Sequence, residues 1–243
     1  MICIAKDEEN ISCNIEYKGI NIENEKSLHS SIKKYYSKPG DRLEVKLEGY
    51  VIDIVRDDLL IEIQTKNFSA MKNKLKTLLQ NHKVQLVYPI AKEKYICTLE
   101  NDNHTIISNR KSPKKGCLED LFSELIRIPG LINHVNFSFV VLITKEQEIR
   151  CKDGKGSWRR KGVSLVDKHL LEVSEIIHLT CKEDFLRFIP DTLPEAFTNK
   201  NLAKALSINT AKATKITYCL KKMGIIEEVG KAKRELLYKV IEN

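Results

Sequence analysis

Apolar residues in the first third of the chain recur at the spacings of short helices and of buried strands. Leu75, Leu78 and Leu79 recur at helical spacing, whereas the run 84–88 is apolar and β-branched. Pro39-Gly40 and Pro89 are stop signals for the elements before them. The predicted order is helix 27–36, strand 45–55, strand 59–65, helix 69–80 and strand 84–88.

The middle of the chain continues the alternation of strands and helices. The pattern predicts a hairpin from strands 95–99 and 104–108, an amphipathic helix over 118–128 and a strand over 137–144. A glycine-rich loop, 151–162, precedes a stretch with mixed helix and strand signals. This alternation predicts an α/β domain over residues 1–190, with either an edge strand pair or a loose arm in the first 26 residues.

The pattern changes after the proline-containing linker PDTLPEAF. Two short helices follow, 199–206 and 210–223, and Gly224 suits the position just after a helix. Strands 225–229 and 236–241 then enclose a basic tip. Helix, turn, helix and basic hairpin is the plan of a winged helix-turn-helix, so we predict a small nucleic-acid-binding domain over 197–243.

Two acids interrupt the apolar strands of the first segment. Asp53 lies inside the run 50–55, and Glu62 lies inside the run 59–63. A tight turn around Asp57-Asp58 would place Asp53 directly across from Glu62, where like charges destabilise a sheet. A bound divalent cation is the simplest way to make this arrangement functional.

The spacing of these acids resembles a known family. Eight residues separate Asp53 from Glu62-Ile63-Gln64, and the predicted elements place a helix before this pattern and a helix and a strand after it. This arrangement is similar to that of the PD-(D/E)xK restriction-endonuclease-like superfamily. The resemblance covers about residues 27–90. It implies a restriction-endonuclease-like mixed sheet flanked by helices, and Mg²⁺ or Mn²⁺ as cofactor.

The resemblance also implies roles for individual residues. In that family the two acids hold the metal, the residue after the second acid lends its carbonyl, and a lysine orients or activates the attacking water. Carried over, Asp53 and Glu62 are metal ligands, Ile63 lends its carbonyl, and Gln64 stands where the lysine usually is.

The sequence departs from the family pattern at two positions. Residue 52 is Ile where the motif has Pro, and Gln64 can neither act as a base nor carry positive charge, so it can only position water by hydrogen bonds. A further acid on the first helix or first strand often completes such sites. Glu48, Glu44 and Glu25 compete for that role, and we select Glu48.

Each of these assignments has a simpler alternative. The acids either hold a metal or lie on a solvated edge-strand face, paired with Lys33 or Arg56. His29, Lys33 and Tyr36 share one face of the first helix, which points either toward a substrate phosphate or to solvent.

Basic residues are concentrated near the C-terminus. Residues 197–243 carry ten Lys or Arg against four Glu, in a chain with net charge +8 and pI near 9.0. Many lysines and few arginines favour contact with the phosphate backbone over base reading. The predicted nucleic-acid contacts are Lys212, Thr214, Lys215, Tyr218 and Lys222 on the second helix and Lys231, Lys233 and Arg234 at the hairpin tip.

The glycine-rich loop contains the single tryptophan of the chain. Trp158, Arg159 and Arg160 together suit stacking on an unpaired base with neutralisation of phosphate. The alternative is a buried anchoring tryptophan with a solvated basic rim.

The remaining composition indicates a cytoplasmic protein with no membrane segment. Seven cysteines without a C-x-x-C pair are typical of reduced thiols, and neither a signal-peptide core nor an apolar run of about 18 residues occurs. P-loop, H-E-x-x-H, G-x-S-x-G and dinucleotide-glycine patterns are absent from the sequence, so nucleotide hydrolysis, zinc and serine chemistry are unsupported.

Together these patterns predict a metal-dependent DNA endonuclease, or a nuclease-like DNA-processing protein, that docks DNA through its winged helix. RNA stays open as a substrate, and so does a homodimer. The alternative, favoured by Gln64, is a DNA-binding regulator or scaffold on a nuclease fold that does not cut.

Overall fold

A computed structural model describes residues 27–241 of the chain. The predicted edge strands near the N-terminus and the candidate ligand Glu25 lie outside the described residues. The helices are α1 (Ser27–Tyr36), α2 (Lys72–Leu78), α3 (Phe122–Leu125), α4 (Asn199–Ala205) and α5 (Thr210–Lys222). The strands are β1 (Arg42–Leu47), β2 (Tyr50–Arg56), β3 (Leu59–Ile63), β4 (Lys83–Leu99), β5 (Ile106–Lys111), β6 (Phe137–Cys151), β7 (Ser164–Leu179), β8 (Ile226–Ala232) and β9 (Glu235–Val240). Short 3-10 helices are formed by Phe68–Met71, Leu118–Leu121, Leu131–Asn133, Trp158–Arg160 and Lys182–Phe188.

Strands β1 to β7 form one mixed sheet in the order β1-β2-β3-β4-β6-β7, and β5 pairs with the second half of β4. Strand β2 is antiparallel to both of its neighbours, β1 and β3. β3, β4 and β6 run parallel, and β7 is antiparallel to β6. The fold is therefore α/β, with a mixed seven-stranded sheet flanked by helices, as the alternation of elements predicted.

The sheet is buried on both faces at its centre. Leu28 and Ile32 of α1 pack on Ile61, Ile63 and Val140 in one hydrophobic cluster. Parallel strands covered on both sides are mostly apolar, which explains why β3 and the run 84–88 of β4 are apolar apart from Glu62 and Gln85.

The opposite face carries the larger cluster, which includes Leu75 and Leu78 of α2 with Leu60, Leu86 and Phe139. Leu60 belongs to this cluster, whereas its neighbour Ile61 belongs to the cluster under α1. Because successive side chains of a strand point to opposite faces, α1 and α2 cover opposite faces of the sheet.

Two predicted element boundaries were wrong. The run 45–55 is not one strand, because Glu48 and Gly49 both adopt positive φ and reverse the chain between β1 and β2. β4 also does not stop at Pro89. Val87 accepts a hydrogen bond from Gln64 on the β3 side, and by alternation Pro89 faces the same side beyond the end of β3. Its missing N–H therefore interrupts no ladder.

One predicted helix was wrong, and the stretch with mixed helix and strand signals is a strand. The predicted helix over 118–128 is two short turns, Leu118–Leu121 and α3, and the stretch after the glycine-rich loop, 163–179, contains the long strand β7. Pairing with β6 along nearly its whole length decides the conformation of β7, and that long-range contact is not visible in local periodicity.

The C-terminal residues follow the predicted order, with α4 and α5 followed by the two-stranded sheet β8-β9. Thr198 caps α4 by accepting a hydrogen bond from the Asn201 N–H, and Gly224 has positive φ after α5. The core of this module is continuous with that of the large domain, because Phe197 and Leu220 belong to the same cluster as Phe139.

Candidate active site

The tight turn between β2 and β3 has the predicted register. Ile54 pairs with Ile61, and Arg56 with Leu59, so the next pair in the series would be Asp53 and Glu62. The ladder stops before that pair. Asp53 instead turns its carboxylate toward β3, where Oδ2 accepts a hydrogen bond of 2.9 Å from the Ile63 N–H. The side chain thus holds the two strands together where the backbone ladder ends.

Helix α1 covers Asp53. His29 Nε2 lies 3.2 Å from Asp53 Oδ2 and 3.0 Å from the Ile63 carbonyl oxygen. Since a carbonyl can only accept, the contact with Ile63 requires His29 to carry a proton on Nε2. Lys33 Nζ lies 3.7 Å from Asp53 Oδ1 and is also paired with Glu44. Lys33 is only 7% exposed, so the solvated-face alternative for this side of α1 is wrong.

These contacts set the charge of Asp53. Burial alone raises the pKa of its carboxyl, but hydrogen bonds from His29 and from the Ile63 N–H, with the charge of Lys33, outweigh burial. The pKa of Asp53 therefore lies below its ordinary value, and the group is an anion at neutral pH.

Glu62 has a different environment on the α2 side of the sheet. It is 2% exposed, and burial first, then the neighbouring Asp53, raises its pKa to about 7. Lys74 of α2 opposes this shift, with Nζ 2.6 Å from Glu62 Oε1. Even so, Oε1 is buried without a hydrogen bond of normal geometry. This carboxylate oxygen can therefore accept a further ligand.

The Gln64 side chain, predicted at the position of the catalytic lysine, is hydrogen-bonded within its own turn. Its side-chain Nε2 donates to the Asn67 carbonyl oxygen at 3.1 Å, within the turn that leads to α2. The positive charge beside Glu62 comes from Lys74 instead. Sequence reasoning missed Lys74 because it borders the apolar face of α2, next to buried Leu75, and helical periodicity cannot tell whether such a lysine reaches solvent or the sheet.

The competing acids lie apart from the pair. Glu48 is in the β1–β2 turn, where Oε1 lies 3.0 Å from His82 Nε2 and 3.5 Å from Asn81 Nδ2. Glu44 is paired with Lys33 and reaches Asp53 only through it. Arg56, the other predicted partner of the acids, forms two hydrogen bonds to Asp41, at 2.8 and 2.9 Å.

The oxygen atoms near the strand ends fit a hard divalent cation in type. Mg²⁺ is commonly held by one or two carboxylates, with water and substrate phosphate completing its shell, and Asp53, Glu62 and the Ile63 carbonyl provide such donors. The acids are held from opposite sides of the sheet by α1 and α2. Within residues 27–241, no group of three or more His, Cys, Asp or Glu side chains is arranged to hold a metal ion.

The predicted nucleic-acid contacts on α5 fall into two groups. Lys212 Nζ lies 2.7 Å from Asp120 Oδ1, and Lys215 Nζ donates to Ser123 Oγ at 3.1 Å. These two lysines therefore join α5 to the large domain. Thr214, Tyr218 and Lys222 are exposed.

The two basic loops are open. Lys231, Lys233 and Arg234 are exposed around the β8–β9 turn. Trp158 is 83% exposed, so the alternative of a buried anchor is wrong. The Arg159 guanidinium lies 5.5 Å from the centre of the indole ring, and Arg160 beside it is exposed.

Comparison with known proteins identifies the family of this chain. A family model described as a domain of unknown function (DUF8091) matches residues 26–180, and the chain belongs to that family. An uncharacterized protein of Treponema pallidum (strain Nichols) is 34% identical over 186 residues, which are 76% of this chain and 74% of the relative. No solved structure matches the chain. None of the helices described between residues 27 and 241 is long and apolar enough to cross a membrane.

Proposed function

We propose that this protein is a metal-dependent nuclease of restriction-endonuclease-like fold that acts on DNA. The observation that carries the proposal is the acid pair where the β2–β3 ladder ends. Asp53 is held as an anion by α1, and buried Glu62 beside it has an oxygen without a normal hydrogen bond. Buried carboxylates with strongly shifted pKa values are typical of functional sites.

The arrangement of elements supports the fold assignment. Helix α1 is followed by the antiparallel strands β1 to β3, then by α2 and the parallel strand β4. The acids are on β2 and β3, as the resemblance to PD-(D/E)xK proteins requires.

The side chains have distinct roles in the proposed site. Asp53, Glu62 and the Ile63 carbonyl would hold Mg²⁺ or Mn²⁺, which when bound supplies positive charge at the phosphodiester and lowers the pKa of a coordinated water. His29 orients Asp53 through its contacts with Oδ2 and with the Ile63 carbonyl. Lys74 provides the positive charge beside Glu62 that Gln64 cannot provide.

The exposed basic surfaces would dock the nucleic acid. Thr214, Tyr218 and Lys222 on α5, together with the β8–β9 tip, suit contacts to the phosphate backbone. Trp158 presents an open aromatic face for stacking on an unpaired base. Lys212 and Lys215 take no direct part, since they join α5 to the large domain.

A second function is favoured by the ion pairs at the acid site. His29 and Lys33 contact Asp53, and Lys74 contacts Glu62, so protein side chains already compensate the negative charge. A nuclease-fold regulator or scaffold that binds DNA without cutting would have this arrangement.

Cleavage assays separate the two functions. Plasmid, linear and branched DNA are incubated with Mg²⁺, Mn²⁺ or EDTA, and the wild type is compared with Asp53→Asn and Glu62→Gln. The matched control is Asp58→Asn, in the turn of the same hairpin, where the carboxylate is exposed and paired with Lys83. The nuclease proposal expects metal-dependent cutting that only the site variants lose.

One result would overturn the site assignment, and another would overturn the nuclease. Cutting that survives in both site variants places the reaction elsewhere in the protein. DNA binding by the wild type, with neither cutting nor any metal-dependent shift of the melting temperature, identifies the regulator.

A further inference from the structure

A cleft of about 180 Å³ opens where β4 is bulged between Ala91 and Glu93. Leu28 and Thr65 form part of its wall, and they are the sequence neighbours of His29 and Gln64. The wall of the cleft thus includes the residue before His29, which contacts Asp53, and the residue after Gln64. The volume of the cleft is below the range usual for drug-sized ligands, so it suits a small group.

Three lysines line this cleft, namely Lys94, Lys114 and Lys168. Two of them share one carboxylate, since Glu148 lies 3.0 Å from Lys94 and 3.7 Å from Lys168. The same carboxylate also accepts a hydrogen bond of 2.7 Å from Arg150. Burial alone raises the pKa of Glu148, but the bonds from Arg150 and Lys94 outweigh it and bring the pKa to about 2.

The cleft has an excess of positive charge. Two carboxylates, Glu146 and Asp120, form part of the wall; Glu146 accepts a hydrogen bond of 2.9 Å from Thr144, and Asp120 is paired with Lys212. Counted together with their ion-pair partners, the charged groups of the cleft are five basic side chains (Lys94, Lys114, Lys168, Arg150 and Lys212) and three carboxylates (Asp120, Glu146 and Glu148), which leaves two positive charges in excess. A phosphate monoester carries about −1.5 to −2 at pH 7, so it matches this excess better than a phosphodiester does.

Lys114 reaches the cleft because of a close backbone approach. The Gly116 N–H donates to the Ala91 carbonyl oxygen at 2.9 Å, at the bulge of β4. A Cβ at position 116 would lie 2.6 Å from that oxygen, so only glycine allows this approach. The segment that carries Lys114 is thereby fixed against the cleft.

Tyr88 adds a neutral donor to the lining. Burial, with the nearby acids Glu124, Asp120 and Glu146, raises the pKa of its hydroxyl to about 12. The hydroxyl therefore keeps its proton and can donate to an anion.

The cleft also connects the acid pair with α5. Asp120 forms part of its wall and is paired with Lys212, in the first turn of α5. Nucleic acid docked on the exposed face of α5 would thus have one strand near the cleft and the acids.

We propose that the cleft binds a phosphate monoester, and that on a nucleic-acid strand this group is the terminal phosphate next to the phosphodiester presented to Asp53 and Glu62. The strand-end assignment rests on the proposed nuclease function, whereas the phosphate site itself does not. Free inorganic phosphate has the same recognition chemistry, and the experiment distinguishes the two sources.

The test measures binding without cutting. Full-length Asp53→Asn protein in EDTA is titrated with short labelled single strands that end in 5′-phosphate, 3′-phosphate or hydroxyl, and inorganic phosphate is the competitor. One phosphorylated end should bind about tenfold more tightly than the hydroxyl end, the effect of one hydrogen bond to a charged group. Adding Lys114→Ala, an exposed position, should abolish the difference. Lys111→Ala removes an exposed lysine paired with Glu93 and should retain it.

Each result has one meaning. Equal affinity for all three ends, with no competition by phosphate, overturns the proposal. Phosphate binding that requires Lys114, without preference for strand ends, supports the phosphate site and overturns its strand-end assignment. If the wild type cuts no DNA and a strand-end preference is still found, the phosphate site is supported and the nuclease function is contradicted. If the wild type cuts DNA and shows no such preference, only the proposed phosphate site is contradicted.

Discussion

The pKa of Glu62 predicts an unusual dependence of stability on pH. Its value rises from 4.5 to about 7 on folding, mainly because of burial. A carboxyl with a raised pKa contributes its full stability below the unfolded value, and that contribution is lost as the pH rises through the folded value. Glu62 should therefore destabilise the metal-free protein increasingly as the pH rises from about 4.5 to about 7, and by the full amount above that.

The size of this effect follows from the same numbers. Each pH unit between the two pKa values costs about 1.4 kcal/mol, so the interval from 4.5 to about 7 corresponds to about 3 kcal/mol. Glu62→Gln removes the titration, and the variant should be more stable than the wild type at pH 8. The gain will be below about 3 kcal/mol, because Lys74 then loses its partner.

Urea unfolding at intervals from pH 5 to pH 8, in EDTA, measures the difference directly. The free energy of unfolding of the wild type should fall relative to that of Glu62→Gln as the pH rises. If the acids hold Mg²⁺, the ion at pH 8 should restore more stability to the wild type than to the variant, which lacks one of the two ligand carboxylates. Glu93→Gln is the control, since pairing with Lys111 lowers the pKa of Glu93 and reverses the sign. Parallel curves for the wild type and Glu62→Gln would refute the reasoning.

Three further predictions concern other parts of the molecule. Trp158 is the single tryptophan and is 83% exposed, so a single-stranded oligonucleotide that stacks on it should quench the intrinsic fluorescence of the protein. Saturating binding without quenching would rule out stacking. Lys74→Met should raise the pKa of Glu62 further, so the pH at which the free energy of unfolding falls should be higher for this variant than for the wild type in urea titrations. Lys72→Met, at an exposed position of the same helix, should leave that pH unchanged. Lys222→Ala should weaken DNA binding and lower the slope of log K against log salt by about one, whereas an unchanged slope would remove α5 from the interface.

The strand register around the acids could be predicted because local chemistry determines it. Two apolar runs joined by Asp57-Asp58 allow one tight reversal, and the pairing of Ile54 with Ile61 follows from it. The helices near the C-terminus could be predicted equally well, because Thr198 and Gly224 mark helix ends through local capping.

Features that depend on long-range packing could not be predicted in this way. β4 passes through Pro89 because β3 ends beside Val87, a fact about a different strand. Lys74 and Lys212 look like solvated lysines in a helical pattern, and only the packing of their helices turns them toward Glu62 and Asp120. The lysines of the cleft come from β4, β7 and the segment before Gly116. Because these segments are far apart in the sequence, the lysines form no motif that sequence analysis could recognise.

Lys74 is the residue on which the two candidate functions diverge. Its charge compensates Glu62 in the metal-free protein, which allows a buried acid to coexist with Asp53. In a nuclease, Lys74 must leave Oε1 when a cation is bound, and its ammonium group is then free to contact substrate phosphate. In a regulator, the ion pair persists and the acids remain structural. Oε1 has Lys74 Nζ at 2.6 Å but no hydrogen bond of normal geometry, so a cation that displaces the ammonium group would replace an ion pair without breaking a well-formed hydrogen bond, and this favours the nuclease.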